Sequence, residues 1–297
     1  MNLALKKFWR KNGTGYLFIL PFVLLFFLFT VVPVFVAGGV SLTQYDMINP
    51  PKWVGLNNYK LMFMDDDVFL LALKNTMMFA LITGPLGYML SFFAAWFINQ
   101  LKFKTVFSLA FYAPSITSGV AMGAVWLYFF SPDRYGLINN FLLNISAITA
   151  PIKWTMDSST ILPVIMFIAV WMSMGTGFLV FLAGFQNVSS ELYEAAAIDG
   201  IRSKFQELRK ITLPLMKPQL LFGAVTTIAN SFAVFDISVQ VAGQPSANYA
   251  GATIGTHLHD NAFLRFQMGY ASGIAVVLFI LSFALGRLVM RLLRDDV

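Results

Sequence analysis

Five stretches of this chain hold no Asp, Glu, Lys or Arg: residues 16–40, 75–101, 105–132, 158–190 and 266–286. Each exceeds the roughly 20 residues needed to cross the hydrocarbon of a bilayer. A sixth stretch, 218–243, holds one charge, Asp236. Hydrocarbon offers backbone N–H and C=O groups no partner but one another, so runs of this length fold as helices. The sequence therefore predicts an all-α integral membrane protein with six transmembrane helices, at 16–40, 75–99, 105–130, 161–185, 218–243 and 267–290. A tail, 1–14, precedes a single transmembrane domain, 15–297. The first apolar run is too long for a signal-peptide core and no clear small-residue cleavage site follows it, so it reads as the first span. Only 11% of residues are charged, which leaves little chain for a soluble domain.

Lys and Arg orient such a chain, because they collect on the cytoplasmic side. With Lys6, Lys7, Arg10 and Lys11 inside, the inner loops hold fourteen of the twenty Lys and Arg and the outer loops six, namely Lys52, Lys60, Lys74, Arg134, Lys153 and Arg265. Both termini then fall in the cytoplasm. The net charge of +6 reports topology and not nucleic-acid binding. The absence of Cys excludes a disulfide framework and a thiolate metal site. His257 and His259 lie near Asp260 in an outer loop and read as solvated residues in preference to metal ligands.

Pro21, Pro33, Pro85, Pro114 and Pro163 fall in or near spans. Neighbouring helices or cavity water must satisfy the carbonyls they free. Gly119 and Gly123 form a Gly-x-x-x-Gly that lets another helix approach. Residues 58–74, in the outer loop 44–74, predict a short surface helix; a second sizeable outer loop covers 131–160.

The stretch ELYEAAAIDGIRSKFQELRKITLPL, residues 191–215, is charged, Ala-rich and interrupted by Gly200. Ser190 predicts a cap for a helix starting at Glu191, and Gly200 a stop. Ser203 with Gln206 predicts a capping box for a second helix reaching about Ile211, which Pro214 and Pro218 end. Two short helices with a Gly corner, in a cytoplasmic loop over 187–217, favour a contact surface over a plain connection.

The chain has no G-x-x-x-x-G-K-[ST] and, in its spans, a single acid. One buried ionisable group is thin for an ion-coupled carrier. Energy for uphill transport is therefore expected from a partner. A membrane enzyme would need a nucleophile with a base, or metal ligands, and the spans supply neither His nor paired carboxylates. Gln219, Thr226, Asn230, Asp236 and Gln240 fall on about a third of a helix circumference. This stripe is open to two readings, a polar pathway suited to a sugar or a polar seam between helices. Asp236 lies 19 residues past Lys217, about 28 Å along a straight helix, towards the outer mouth, and Asn230 lies deeper. Tyr112, Trp126 and Trp171 could stack on sugar faces.

EAAAIDG at 194–200 with ITLP at 211–214 resembles the EAA loop of ABC importer permeases. WVGLNNYKLMF at 53–63, YGLINNFL at 135–142, FQNVSSELYEAAAIDG at 185–200 and the block after Phe235 resemble the type I, maltose and multiple-sugar branch. The resemblance covers nearly the whole chain. It implies an ATPase-docking role for Glu194, Ala195, Ala196, Asp199, Gly200, Leu213 and Pro214, and a substrate pathway to which the stripe residues Thr226, Asn230, Asp236 and Gln240, with Trp171, are assigned. It implies a permease subunit of the bacterial cell membrane, half of a heterodimeric pore, that is not itself an enzyme. ATP and magnesium would bind a partner ABC subunit, and this chain would hold no cofactor. The other implied partners are a second permease, an external or periplasmic solute-binding protein, a carbohydrate substrate and membrane lipid. Two departures stand out: Gly200 to Pro214 is one residue longer than the usual spacing, and Gln244 stands where family members often have Gly. A stand-alone carrier or channel for a polar solute is the alternative reading.

Overall fold

The computed structural model describes residues 3–117, 119–232 and 234–294. The side chains of Lys6, Lys7, Arg10, Lys11 and Arg294, on which the orientation count draws, lie outside the described residues. Helix α1 (Leu3–Phe26) runs through a π-turn, Phe27–Val31, into α2 (Val32–Val40). Two short strands, β1 (Thr43–Gln44) and β2 (Lys52–Trp53), pair antiparallel with Thr43 opposite Trp53. Then follow α3 (Asn57–Met64), α4 (Asp67–Asn99), α5 (Lys104–Ile116), α6 (Gly119–Phe129), α7 (Leu137–Asn144) and α8 (Ile161–Gln186). The loop helices are α9 (Ser190–Ile198), α10 (Lys204–Glu207) and, after a π-turn over Leu208–Thr212, α11 (Leu213–Leu215). The chain closes with α12 (Lys217–Phe232), α13 (Asp236–Ala242), α14 (Ile254–His259) and α15 (Met268–Arg294).

Four of the described helices are long and apolar enough to cross a membrane alone: Gly13–Val40, Asp67–Asn99, Ile161–Gln186 and Met268–Leu292. Two bent pairs, Lys104–Ile116 with Ala121–Phe129 at 97° and Lys204–Leu215 with Lys217–Phe232 at 78°, give up to six if each pair is one span. The structure corrects three expectations. The stretch 105–130 is not one straight helix but α5 and α6 joined at a sharp bend. The stretch 218–243 is divided between α12 and α13. Residues 58–74 do not form one surface helix: α3 ends at Met64, and α4 starts at Asp67 because Asp66 caps it, its carboxylate accepting the Phe69 N–H at 2.8 Å.

Two compact units are present. One comprises residues 1–65 with 258–277. In it the Asn58 amide donates to the Ser41 and Thr43 carbonyls, both at 2.8 Å, and the Tyr59 hydroxyl bonds Ser41 Oγ at 2.7 Å. Those bonds pin α3 beside the small sheet, with Met62 fully buried. The other unit comprises residues 66–257 with 278–297 and holds two apolar clusters. The first gathers Phe79, Trp126, Phe130, Ile161, Ile165, Ile168, Val234 and Val241. The second gathers Phe92, Phe178, Phe181, Phe185, Leu208 and Met216, so the 187–217 loop is rooted in the helical body through its own apolar side chains. Burying such a side chain contributes about 1.5–3 kcal/mol.

Candidate functional site

The sequence-predicted corner forms by backbone chemistry that only Gly accepts cheaply. Gly200 has φ +90°, with nothing near where a Cβ would sit. The Gly200 N–H donates to Ala197 O at 3.2 Å and the Ile201 N–H to Ala196 O at 2.9 Å, the paired bonds of a Schellman stop. The cap lies one residue earlier than expected: Ser189, not Ser190, precedes the helix, and its Oγ accepts the Glu191 N–H at 3.3 Å. Ser203 caps α10 as expected, its Oγ accepting the Phe205 N–H at 3.3 Å. The second helix passes Ile211 and reaches Leu215 by way of the π-turn at Leu208–Thr212. A π-turn takes up one residue beyond the α-helical count, and this one lies inside the segment that is one residue longer than the usual spacing.

Of the seven residues assigned to docking, Glu194, Ala195, Asp199, Gly200 and Pro214 are exposed and Leu213 is half-buried. Ala196 faces inward, 7% exposed, because it lies on the side of α9 turned to the helical body. Two apolar residues flanking the corner were missed. Ile198 is 88% exposed and Phe205 is 62% exposed. Tyr193 and Thr212 were missed too: the Tyr193 hydroxyl lies 2.9 Å from Thr212 Oγ1, which itself donates to Glu207 O at 3.3 Å. With Thr212 buried, that chain of bonds ties α9 to the second helix.

A cavity of about 520 Å³ opens between α4, α8, α12 and α13. Thr226 and Asn230 of α12, and Asp236 and Gln240 of α13, all line it. They meet there because the chain breaks between Phe232 and Asp236, not because one helix carries a straight stripe, so the depth worked out for Asp236 along a continuous helix does not apply. Gln219 is not in the lining; its Oε1 is buried without a partner. Trp171, Trp126 and Tyr112 are not in the lining either, and Phe79, Phe222 and Phe235 supply its aromatic surface. Trp126 is instead a core residue, stacked on Phe130 with ring centroids 5.9 Å apart, and Trp171 meets it edge-on at 6.1 Å. Gly119 lines the cavity, whereas Gly123 abuts the Gln240 side chain, so only the second glycine of the pair serves close packing.

The segment after α13 is fixed by buried polar side chains. Asn75 Nδ2 donates to Ala250 O at 3.0 Å and to Ala252 O at 2.9 Å. Thr76 Oγ1 accepts the Ile254 N–H at 2.9 Å, Ser238 Oγ donates to Gly251 O at 2.6 Å, and Thr253 Oγ1 donates to Val234 O at 2.9 Å. The last bond reaches the break beside Asp236. Gln244, the departure noted above, donates from Nε2 to Thr256 O at 3.0 Å. His257 is not a solvated loop residue: it is 5% exposed, and its Nε2 lies 2.9 Å from Asp66 Oδ2 at the cap of α4. His259 is half-buried beside Phe263, and Asp260 pairs with Arg265 at 2.8 Å. Among the described residues no group of three or more His, Cys, Asp or Glu comes together to hold a metal.

Long apolar helices, a polar cavity among them and a rooted two-helix loop define a membrane permease subunit. No protein-family model matches the chain. It is 34% identical over 275 residues to the probable ABC transporter permease protein YesP of Bacillus subtilis, covering 92% of this chain and 87% of that one. It is 30% identical over 289 residues to the arabinooligosaccharides transport system permease protein AraP of the same organism, covering 96% and 90%. It is 30% identical over 284 residues to the multiple sugar-binding transport system permease protein MsmF of Streptococcus mutans, covering 94% and 92%. The chain belongs to the family of sugar-type ABC transporter permeases. Its fold matches, at a TM-score of 0.82, 20% identity and 99% coverage of both chains, a chain of a bacterial ABC transporter that imports the acidic polysaccharide alginate.

Proposed function

We propose that this chain is one of two membrane subunits of an ATP-driven bacterial sugar importer, with six spans and both termini in the cytoplasm. The spans are α1–α2, α4, α5–α6, α8, α12–α13 and α15. ATP and magnesium bind a partner ATPase, and the second permease completes the pore as a heterodimer. An external solute-binding protein delivers the saccharide; the alginate transporter has a solved complex with a pentasaccharide-bound periplasmic protein. ATP and the loaded binding protein each favour one of two states of the pore, and that difference drives alternating access. Thr226, Asn230, Asp236 and Gln240 lie on the pathway, and the loop around Gly200 docks the ATPase.

The observation that carries the docking assignment is the corner itself. A rigid Schellman turn holds Ile198 and Phe205 in the open, and large apolar side chains this exposed mark interaction surfaces. Glu194, Ala195, Asp199, Gly200, Leu213 and Pro214 surround them; Ala196 supports them from beneath. Glu194→Lys and Ile198→Asp are expected to leave a monodisperse, inserted subunit while sugar uptake falls at least about tenfold and the ATPase no longer co-purifies. Normal uptake and normal ATPase recovery in both variants would refute the docking role.

A further inference from the structure

We propose that Asp236 sets the charge class of the cargo: the cavity takes saccharides that are neutral or carry an amino group, and turns away those that carry a carboxylate. This rests on the saccharide reading above and names the class of substrate within it. Four lining hydroxyls donate inward to carbonyls of their own helices. Thr83 donates to Phe79 O at 2.8 Å, Ser173 to Val170 O at 2.8 Å, Thr226 to Phe222 O at 2.9 Å and Ser231 to Thr227 O at 2.8 Å. With their protons so engaged, these oxygens present lone pairs to the cavity. Asp236 adds two more acceptor oxygens, is exposed, and makes no ion pair among the described residues. Among the described residues no Lys, Arg or His lines the space.

Beside the amide groups of Asn230 and Gln240, this lining offers hydroxyl and carboxylate acceptors, and its one charged side chain is negative. A sugar hydroxyl meets it as a donor, and a donor to a carboxylate makes the stronger kind of hydrogen bond. An ammonium gains a favourable charge as well. A uronate carboxylate brings only acceptors and a charge of the same sign, and that repulsion, in a space partly shielded from water, is enough for about tenfold discrimination or more. The fold is shared with an importer of an acidic polysaccharide, so the fold does not choose the charge of the cargo. The side chains at the cavity do.

The test uses the intact complex, this chain with the permease and ATPase that co-purify with it, in lipid nanodiscs without binding protein. Arabinotriose and trigalacturonate are the probes, and saturation-transfer NMR reads their dissociation constants. The wild-type complex is expected to bind the neutral sugar about tenfold more tightly than the uronate, with Asp236→Asn narrowing the gap to within about threefold and Asp236→Lys reversing it. Size-exclusion profiles matching wild type show that the variants assemble. Equal binding of both sugars by the wild type, or an unchanged gap in correctly assembled variants, overturns the inference and leaves the saccharide reading standing. Binding of neither sugar removes the saccharide reading and the inference with it.

Discussion

Asn75→Leu isolates the energetics of the segment beside the cavity. Asn75 is 5% exposed in the first turns of α4, and its amide reaches two carbonyls, Ala250 O at 3.0 Å and Ala252 O at 2.9 Å. Leu has the same branched skeleton and number of side-chain heavy atoms as Asn, so the substitution removes donors without opening a void. Both carbonyls lose a side-chain partner at once. A buried acceptor left without one costs about 1–3 kcal/mol, and since the Ala250 bond is only partly buried, about 3 kcal/mol is expected for the pair. At about 2 °C per kcal/mol for a chain of this length, the melting temperature should fall by about 6 °C. Fluorescence-detected size exclusion after a heating series measures that. Hydrogen exchange should quicken in residues 247–257, because the Ile254 N–H on Thr76 Oγ1 loses its neighbouring anchor. Gln100→Leu, which removes an exposed amide bonded to Trp96 O at 3.1 Å, is the control and should shift melting by under about 1 °C. A shift that small for Asn75→Leu, with unchanged exchange, would refute the argument that these two bonds hold the segment.

Gly123→Ala tests the α6–α13 contact. The added Cβ would meet the Gln240 side chain, with Cδ at 2.9 Å and Cβ at 3.1 Å, so the Gln240 amide must turn aside and its Cβ give way, at an overpacking cost of about 1–3 kcal/mol. Sugar uptake should fall at least about fivefold, whereas Gly38→Ala, with open space around it, should transport normally. The Asp157 carboxyl is held below the usual carboxylate range by the Ser159 backbone N–H, then by the Ser159 hydroxyl and the charge of Lys153. A depressed carboxyl stabilises its turn above the unfolded pKa and loses that stabilisation as pH falls through the folded one. Amide exchange at 157–160, compared with Asp157→Asn, should therefore quicken in acid below about pH 4 in the wild type alone.

The spans were legible because hydropathy dictates them: a run of 25 residues without a charge has few alternatives. Gly200 was legible for a similar reason, since a helix of good formers followed by Gly announces a left-handed stop. The breaks were not. Nothing local separates Phe232 from Asp236 in the way Pro214 marks its neighbourhood; the Thr253 hydroxyl on Val234 O, from 19 residues away, is part of what stabilises the gap. Periodicity placed Thr226, Asn230, Asp236 and Gln240 together for a reason that proved wrong, because the phase of one helix does not continue through a break. Gln219 shares the face of α12 that carries Thr226 but lies two turns nearer the start of the helix, against Gly184 of α8, and so falls outside the cavity. His257 looked solvated because its partner Asp66 lies 191 residues away in sequence. Trp126 and Trp171 illustrate the remaining ambiguity: an aromatic in a span packs a core as readily as it lines a pathway, and only neighbours decide.

The two candidate sites are joined by one short element, and its geometry suits the proposed coupling. Tyr193 and Thr212 tie α9 to the second loop helix, while Leu208 and Met216 bury themselves against Phe181 and Phe185 of α8. The loop can therefore move as one piece with the end of α8, not as a slack tether. From it α12 departs at 78°. A displacement along the loop helices is then directed across α12 and tilts it, rather than pushing it lengthwise through the bilayer. Asn230 lies 13 residues beyond Lys217, about 20 Å along that helix, so a small tilt at the loop becomes a larger excursion at the cavity. Past the break, α13 is fastened through Ser238 to Gly251, in the segment that Asn75 anchors at Ala250 and Ala252. In the proposed coupling, α12 moves together with α4, against which it packs, while α13 stays with α6 and α8, and the spacing of Asn230 from Asp236 changes across the break.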